Sequence, residues 1–110
     1  MDLKYKKMIR GMQKKEKIRR RKKRAEEWFL YILKCADGTF YTGVTKDMKR
    51  RLKMHNAGKA SRYTRTRRPV ECLYQEFCGS RAQALVRECE VKSFPRKKKE
   101  ELIAGVILSS

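Results

Sequence analysis

From Trp28 onward the chain alternates apolar with polar positions in short runs. WFLYILKC (28–35) and TFYTGVT (39–45) are rich in aromatic and β-branched residues and flank Ala36-Asp37-Gly38, which predicts a β-hairpin. A short helix follows: Asp47 can cap it, Met48 and Leu52 give it an i, i+4 apolar edge, and Asn56-Ala57-Gly58 offers a left-handed stop. GKASRYTRTRRP (58–69) reads as a loop with one helical turn, and VECLYQEF (70–77) as a third strand. Ser80 and Gln83 form a capping-box pair that opens a helix to about Lys92, and a last helix runs from Pro95, at its first turn, to Ile103. The Ser80 helix carries two competing apolar stripes. Ala82, Leu85, Val86 and Cys89 leave Glu88 on the margin, whereas Ala84, Leu85 and Val91 centre on it; periodicity slightly prefers the first. There is no internal repeat. The pattern predicts one α+β domain over residues 28–104, with a C-terminal tail over 105–110.

Residues 1–27 have a different texture. Tyr5, Met8, Ile9 and Met12 fall at helical spacing, but Lys14 to Arg24 has Ile18 as its one apolar anchor, so a basic tail or helix is expected there and no core. Charge sharpens this division. The 110 residues carry 31 Lys and Arg against 12 Asp and Glu, a net +19, and residues 1–27 hold 13 of those cations against 4 acids. Such a surplus repels itself in a compact chain unless an anionic partner relieves it, which points to nucleic acid or an acidic membrane surface. The longest apolar runs, Trp28–Leu33 and Leu102–Leu108, are far short of the roughly 18 residues a membrane span needs. The charged N-terminus also lacks a signal peptide's apolar stretch, so a soluble, cytoplasmic protein without membrane partner is expected. Cys35, Cys72, Cys78 and Cys89 contain no CxxC pair and share the chain with one histidine, which favours small buried hydrophobes over zinc or disulfide roles.

The hairpin register decides where the chemistry falls. A three-residue loop with Gly38 left-handed pairs Cys35 with Thr39, Leu33 with Tyr41 and Tyr31 with Gly43, which puts the Tyr31 and Tyr41 phenols on one face. A two-residue Asp37-Gly38 loop would put them on opposite faces. Gly43 inside a strand leaves room for a group to approach opposite Tyr31. Arg51 and His55 stand one helical step apart, at i and i+4.

LYI at 30–32, YTG at 41–43, Arg51, His55 and Glu88, together with YTRTRRPVE (63–71) and ALVRE (84–88), resemble the GIY-YIG nuclease family, and more narrowly its small single-domain bacterial members. The resemblance covers Trp28 to about Ile103. It implies a three-stranded antiparallel sheet flanked by short helices, one divalent cation, Mg²⁺ or Mn²⁺, and hydrolysis of phosphodiesters in nucleic acid, with DNA favoured over RNA. The implied catalytic residues are Tyr31, Tyr41, Arg51 and His55, and the implied metal ligand is Glu88 rather than Glu90. The chemistry is coherent. Arg51 can fork onto phosphoryl oxygens, and one carboxylate completed by waters and phosphate is a normal Mg²⁺ site. His55, near 6.5 when unperturbed, is the chemically easier base; the resemblance gives that role to a tyrosine, with His55 as relay or acid, and leaves open which phenol. Three departures stand out: Phe29 fills the slot of the first motif's glycine, Thr42 replaces an aliphatic in the second, and no asparagine follows Glu88 as a second polar partner.

Lys59, Arg62, Arg65, Arg67 and Arg68, interleaved with Tyr63, suit backbone phosphates and a stacked base or sugar; Tyr63 could instead belong to the active site. No reading helix or zinc finger is evident, so binding should be largely blind to sequence, with branched or damaged DNA as candidate targets. The rival expectations are a non-catalytic DNA- or RNA-binding protein, ribosome-associated in one version, and a structural role in which the tail bridges RNA or lipid.

Overall fold

The computed structural model describes residues 26–105; the basic extension, apart from Glu26 and Glu27, and the tail beyond Gly105 lie outside the described residues. The elements, in order, are β1 (Trp28–Lys34), β2 (Phe40–Thr45), α1 (Met48–Asn56), α2 (Arg62–Arg65), β3 (Glu71–Gly79), α3 (Arg81–Lys92) and α4 (Arg96–Ala104). The three strands form one sheet in the order β2-β1-β3, antiparallel throughout. β1 is central and covered on both faces, which is why its apolar run is nearly unbroken and Leu30, Tyr31, Ile32 and Leu33 are all fully buried.

The hairpin has the three-residue register. Tyr31 pairs with Gly43 and Leu33 with Tyr41, Cys35 N–H donates to Thr39 O at 2.8 Å, and Gly38 takes a left-handed φ of 86°. Asp37 fixes the turn by accepting from the Thr39 hydroxyl at 2.6 Å and the Thr39 N–H at 3.1 Å. β3 begins at Glu71 and reaches Gly79, two residues beyond the run that alternation suggested.

Alternation along β1 makes two cores. Leu30 and Ile32 pack with Val91 of α3 and Leu102 of α4, flanked by Phe40, Tyr74 and Phe94. Tyr31 and Leu33 face the other way, with Cys35 and Val70, against Tyr41, Met48 and Leu52. α1 therefore covers one face and α3 and α4 the other. Asp47 caps α1 by accepting from Arg50 N–H at 3.0 Å, and Ser80 and Gln83 close a full capping box on α3. At the far end of α1, the Asn56 carboxamide accepts Val70 N–H at 2.8 Å and donates to Val70 O at 3.1 Å, pinning the helix to the start of β3.

Three expectations need correction. Pro95 is the residue before α4, in extended conformation, and Arg96 is the first helical one; the fixed proline φ suits either position. On α3 the buried residues are Ala84 and Val91, whereas Leu85 is 37% and Val86 70% exposed. The stripe centred on Glu88 is thus the inward one, and Ala82, Val86 and Cys89 face solvent. Only Cys35 is fully buried; Cys72 and Cys78 are half-buried and Cys89 is exposed. All four are free thiols, and no group of three or more His, Cys, Asp or Glu that could hold a metal occurs among the described residues.

Candidate active site

β1, β2 and α1 bring Tyr31, Tyr41, Arg51 and His55 to one place. Pairing of Tyr31 with Gly43 lays the phenol across β2. A Cβ on residue 43 would stand 2.5 Å from the Tyr31 hydroxyl oxygen, so the space the glycine leaves is taken by the ring of Tyr31 itself. The Tyr31 and Tyr41 ring centroids are 6.3 Å apart, and the His55 ring lies edge-on to both, 5.7 Å from Tyr31 and 5.1 Å from Tyr41.

His55 is fully buried near the end of α1 and bonded at both ring nitrogens. Nε2 is 2.8 Å from the Tyr31 hydroxyl and Nδ1 is 2.7 Å from Thr64 Oγ1. Thr64, also fully buried, is 2.9 Å from Ser61 Oγ, and Ser61 Oγ accepts the Thr64 N–H at 3.1 Å as the N-cap of α2. Arg51 Nε donates to the Tyr31 oxygen at 3.4 Å. If Nδ1–H donates to Thr64, then Nε2 is left to accept the Tyr31 proton, and every polar group in the chain from Ser61 to Arg51 is paired.

Thr64 and Ser61 were not singled out from the sequence. The YT pair within 63–71 was visible, but nothing local says that its threonine meets a histidine nine residues earlier.

Burial sets the ionisation of this group. The Tyr31 phenol is pushed up to about 12, mainly because burial disfavours the phenolate; the Arg51 hydrogen bond opposes that shift, and the neighbouring Tyr41 adds to it. His55 is pushed down to about 4, first by burial and then by the Arg51 charge. The imidazole is therefore neutral at pH 7, an acceptor aimed at a phenol.

Glu88 projects from the inward stripe of α3. Its carboxylate is half-buried, 19% exposed, and lies 3.4 Å from Lys92 Nζ; its charge is one of those that oppose ionisation of Tyr31. Glu90 is exposed and paired to Arg87. Arg51 makes no ion pair with a carboxylate among the described residues. The donors near the site are a carboxylate and phenolic hydroxyls, hard oxygen ligands too few to enclose an ion. Such a set suits a Mg²⁺ that keeps most of its waters, for which Glu88 would be the candidate carboxylate.

The basic loop divides in two. Arg67 donates to Asp37 at 3.0 Å and to Tyr63 O at 2.8 Å, and Arg68 donates to Arg65 O at 2.8 Å and Asn56 O at 3.3 Å, so both hold the loop together. Lys59, Arg62 and Arg65 are exposed and have no carboxylate partner among the described residues. Tyr63 stacks on Tyr41 at 6.1 Å and 26°, with the Arg67 guanidinium 3.9 Å over its ring. It thus joins the loop to the site.

Residues 27–101 match the GIY-YIG catalytic domain model. The chain belongs to the GIY-YIG family. A UPF0213 protein of Staphylococcus saprophyticus is 46% identical over 79 residues, which is 72% of this chain and 96% of that one. A UPF0213 protein of Staphylococcus aureus is 48% identical over 75 residues, 68% of this chain and 92% of that one. The solution NMR structure of EF2693 from E. faecalis is similar at a TM-score of 0.52 and 36% identity, covering 74% of this chain and 88% of that one. Membership supports a nuclease in general and a nucleic-acid substrate, and GIY-YIG nucleases generally depend on a divalent metal. No helix among the described residues is long and apolar enough to cross a membrane.

Proposed function

We propose that this protein is a cytoplasmic, divalent-metal-dependent endonuclease that hydrolyses phosphodiester bonds in DNA with little regard to sequence, branched or damaged DNA being the favoured target. One observation carries the reading: a cation without a carboxylate partner among the described residues, Arg51, rests on a buried phenol whose other neighbour is a neutral imidazole nitrogen. A phosphate gripped by Arg51 is thereby brought beside the Tyr31 hydroxyl. Tyr31 takes a proton from the attacking water as it passes its own to His55 Nε2, so no free phenolate, costly in this buried site, has to accumulate. Arg51 collects charge on the phosphoryl oxygens, and Tyr41 lines the more open side of the site. A cation held at Glu88 would supply Lewis-acid stabilisation of the same charge.

The test is cleavage of nicked, forked and single-stranded DNA in Mg²⁺ or Mn²⁺. Tyr31→Phe should lower the rate by roughly 10²- to 10⁴-fold, the usual worth of a positioned acid or base. Chelation and Glu88→Ala should each abolish cutting while leaving DNA binding measurable. Cleavage indifferent to all three rejects the proposal.

The elevation of Tyr31 to about 12 also favours a second reading, a phenol that keeps its proton in a protein that binds DNA or RNA without turnover, on the ribosome in one version. Tight binding without cleavage on every substrate would select it.

A further inference from the structure

Arg51 faces a second place besides the tyrosines. A cleft of about 440 Å³ opens at the end of the hairpin, lined by Trp28, Lys46, Asp47, Arg50, Arg51 and Arg81 among others. None of its four cations makes an ion pair with a carboxylate among the described residues. Its one acid, Asp47, already accepts Arg50 N–H as the cap of α1. Lys46 Nζ and the Arg81 guanidinium lie 5.8 and 5.9 Å from the Trp28 ring, so an aromatic wall stands between two free positive charges. The Trp28 indole N–H is buried and has no acceptor among the described residues.

The four cations come from three places: the β2–α1 connection (Lys46), the first turn of α1 (Arg50, Arg51) and the start of α3 (Arg81). Bringing like charges together around a hollow costs folding energy that an anion would return. Arg51 alone belongs both to this cleft and to the Tyr31 hydrogen bond, and the exposed loop cations with Tyr63 adjoin the site at Tyr41.

We propose that this cleft holds the sugar-phosphate backbone of the nucleic-acid strand next to the bond gripped at Arg51, so that the strand runs from the Tyr63 loop, past Arg51, into the cleft beside Trp28. This rests on the nucleic-acid reading above and adds a second backbone subsite to it. Lys46 and Arg81 supply the phosphate contacts. Trp28 supplies the sugar or base contact.

The chain's one tryptophan makes the test direct, because its emission reports on the cleft. The full-length protein, in chelator so that nothing is cut, is titrated with oligothymidylate while Trp28 fluorescence and oligonucleotide anisotropy are followed together. Saturable quenching that tracks anisotropy is expected. The K46Q/R81Q double variant should lose the quenching, and its plot of log K against log salt should be shallower by about 1.4, at about 0.7 per single-strand phosphate. A K34Q/K97Q variant, with the same loss of charge at exposed positions elsewhere, should keep the quenching and most of the slope. Equal losses in the two double variants would mean a net-charge effect and overturn the cleft. So would binding by K46Q/R81Q with quenching and slope intact, or quenching by inorganic phosphate at the same concentrations as the oligonucleotide. A wild-type protein that binds no oligonucleotide in low salt sinks the nucleic-acid reading itself, which separates the two failures.

Discussion

The two faces of the sheet carry similar polar parts wired in opposite ways. Beside the Leu30 core, the Tyr74 hydroxyl donates to Glu76 at 2.7 Å, and Arg87 donates to the same carboxylate at 2.8 and 3.1 Å. That set is closed: the guanidinium has its anion, and the phenol has its acceptor. Beside the Leu33 core, Tyr31 meets a neutral histidine and Arg51 meets no carboxylate among the described residues. A closed set stabilises the fold, whereas an open one keeps its charge for something outside the molecule.

Substitutions on the two faces should therefore separate activity from stability. On the open face, Arg51→Ala should cut the cleavage rate by about 10²- to 10³-fold, typical of removing one donor to developing charge, with the melting temperature nearly unchanged. Equal loss of stability would show that the open set is structural after all.

Next comes acidification. The His55 value is depressed from 6.5 to about 4, so the unfolded chain binds the proton more readily than the folded one. The stability this gives is complete above pH 6.5 and is lost as pH falls from 6.5 through 4, by up to about 3 kcal/mol. Thermal unfolding followed across that range should show the loss in the wild type and not in His55→Gln. Nitrogen NMR of the single histidine should place its titration near 4.

Arg87→Leu, on the closed face, should cost about 1–3 kcal/mol through the unpaired Glu76, read by urea unfolding, and leave the cleavage rate as it was. Smallest of all, Val86→Gln on the outward side of α3 should change stability by less than about 0.5 kcal/mol, despite looking like a core substitution.

That last case shows where sequence stops informing. On α3 the apolar residues Leu85 and Val86 point outward, and the inward side is shared by Ala84, Val91 and the Glu88 carboxylate, so hydrophobic periodicity favoured the wrong stripe. The resemblance placed Glu88 better because it carries knowledge of what the helix packs against. Local chemistry was a good guide elsewhere. Ala36-Asp37-Gly38 narrowed the hairpin to two registers, because turn geometry acts within a few residues, and the one formed is the three-residue register that gives Tyr31 and Tyr41 a shared face. Ser80 with Gln83 was legible for the same reason. The Ser61–Thr64–His55 chain was not, since two hydroxyls in a basic loop have many partners until the fold brings one imidazole to them.

The two hydrogen bonds between Asn56 and Val70 have a thermodynamic consequence for the loop between those residues. They tie its ends together, and Arg67 and Arg68 brace its interior, so Lys59, Arg62 and Arg65 stand on a segment whose backbone freedom was largely surrendered when the protein folded. A ligand that docks there has little ordering left to impose, and more of each phosphate contact is left over as affinity.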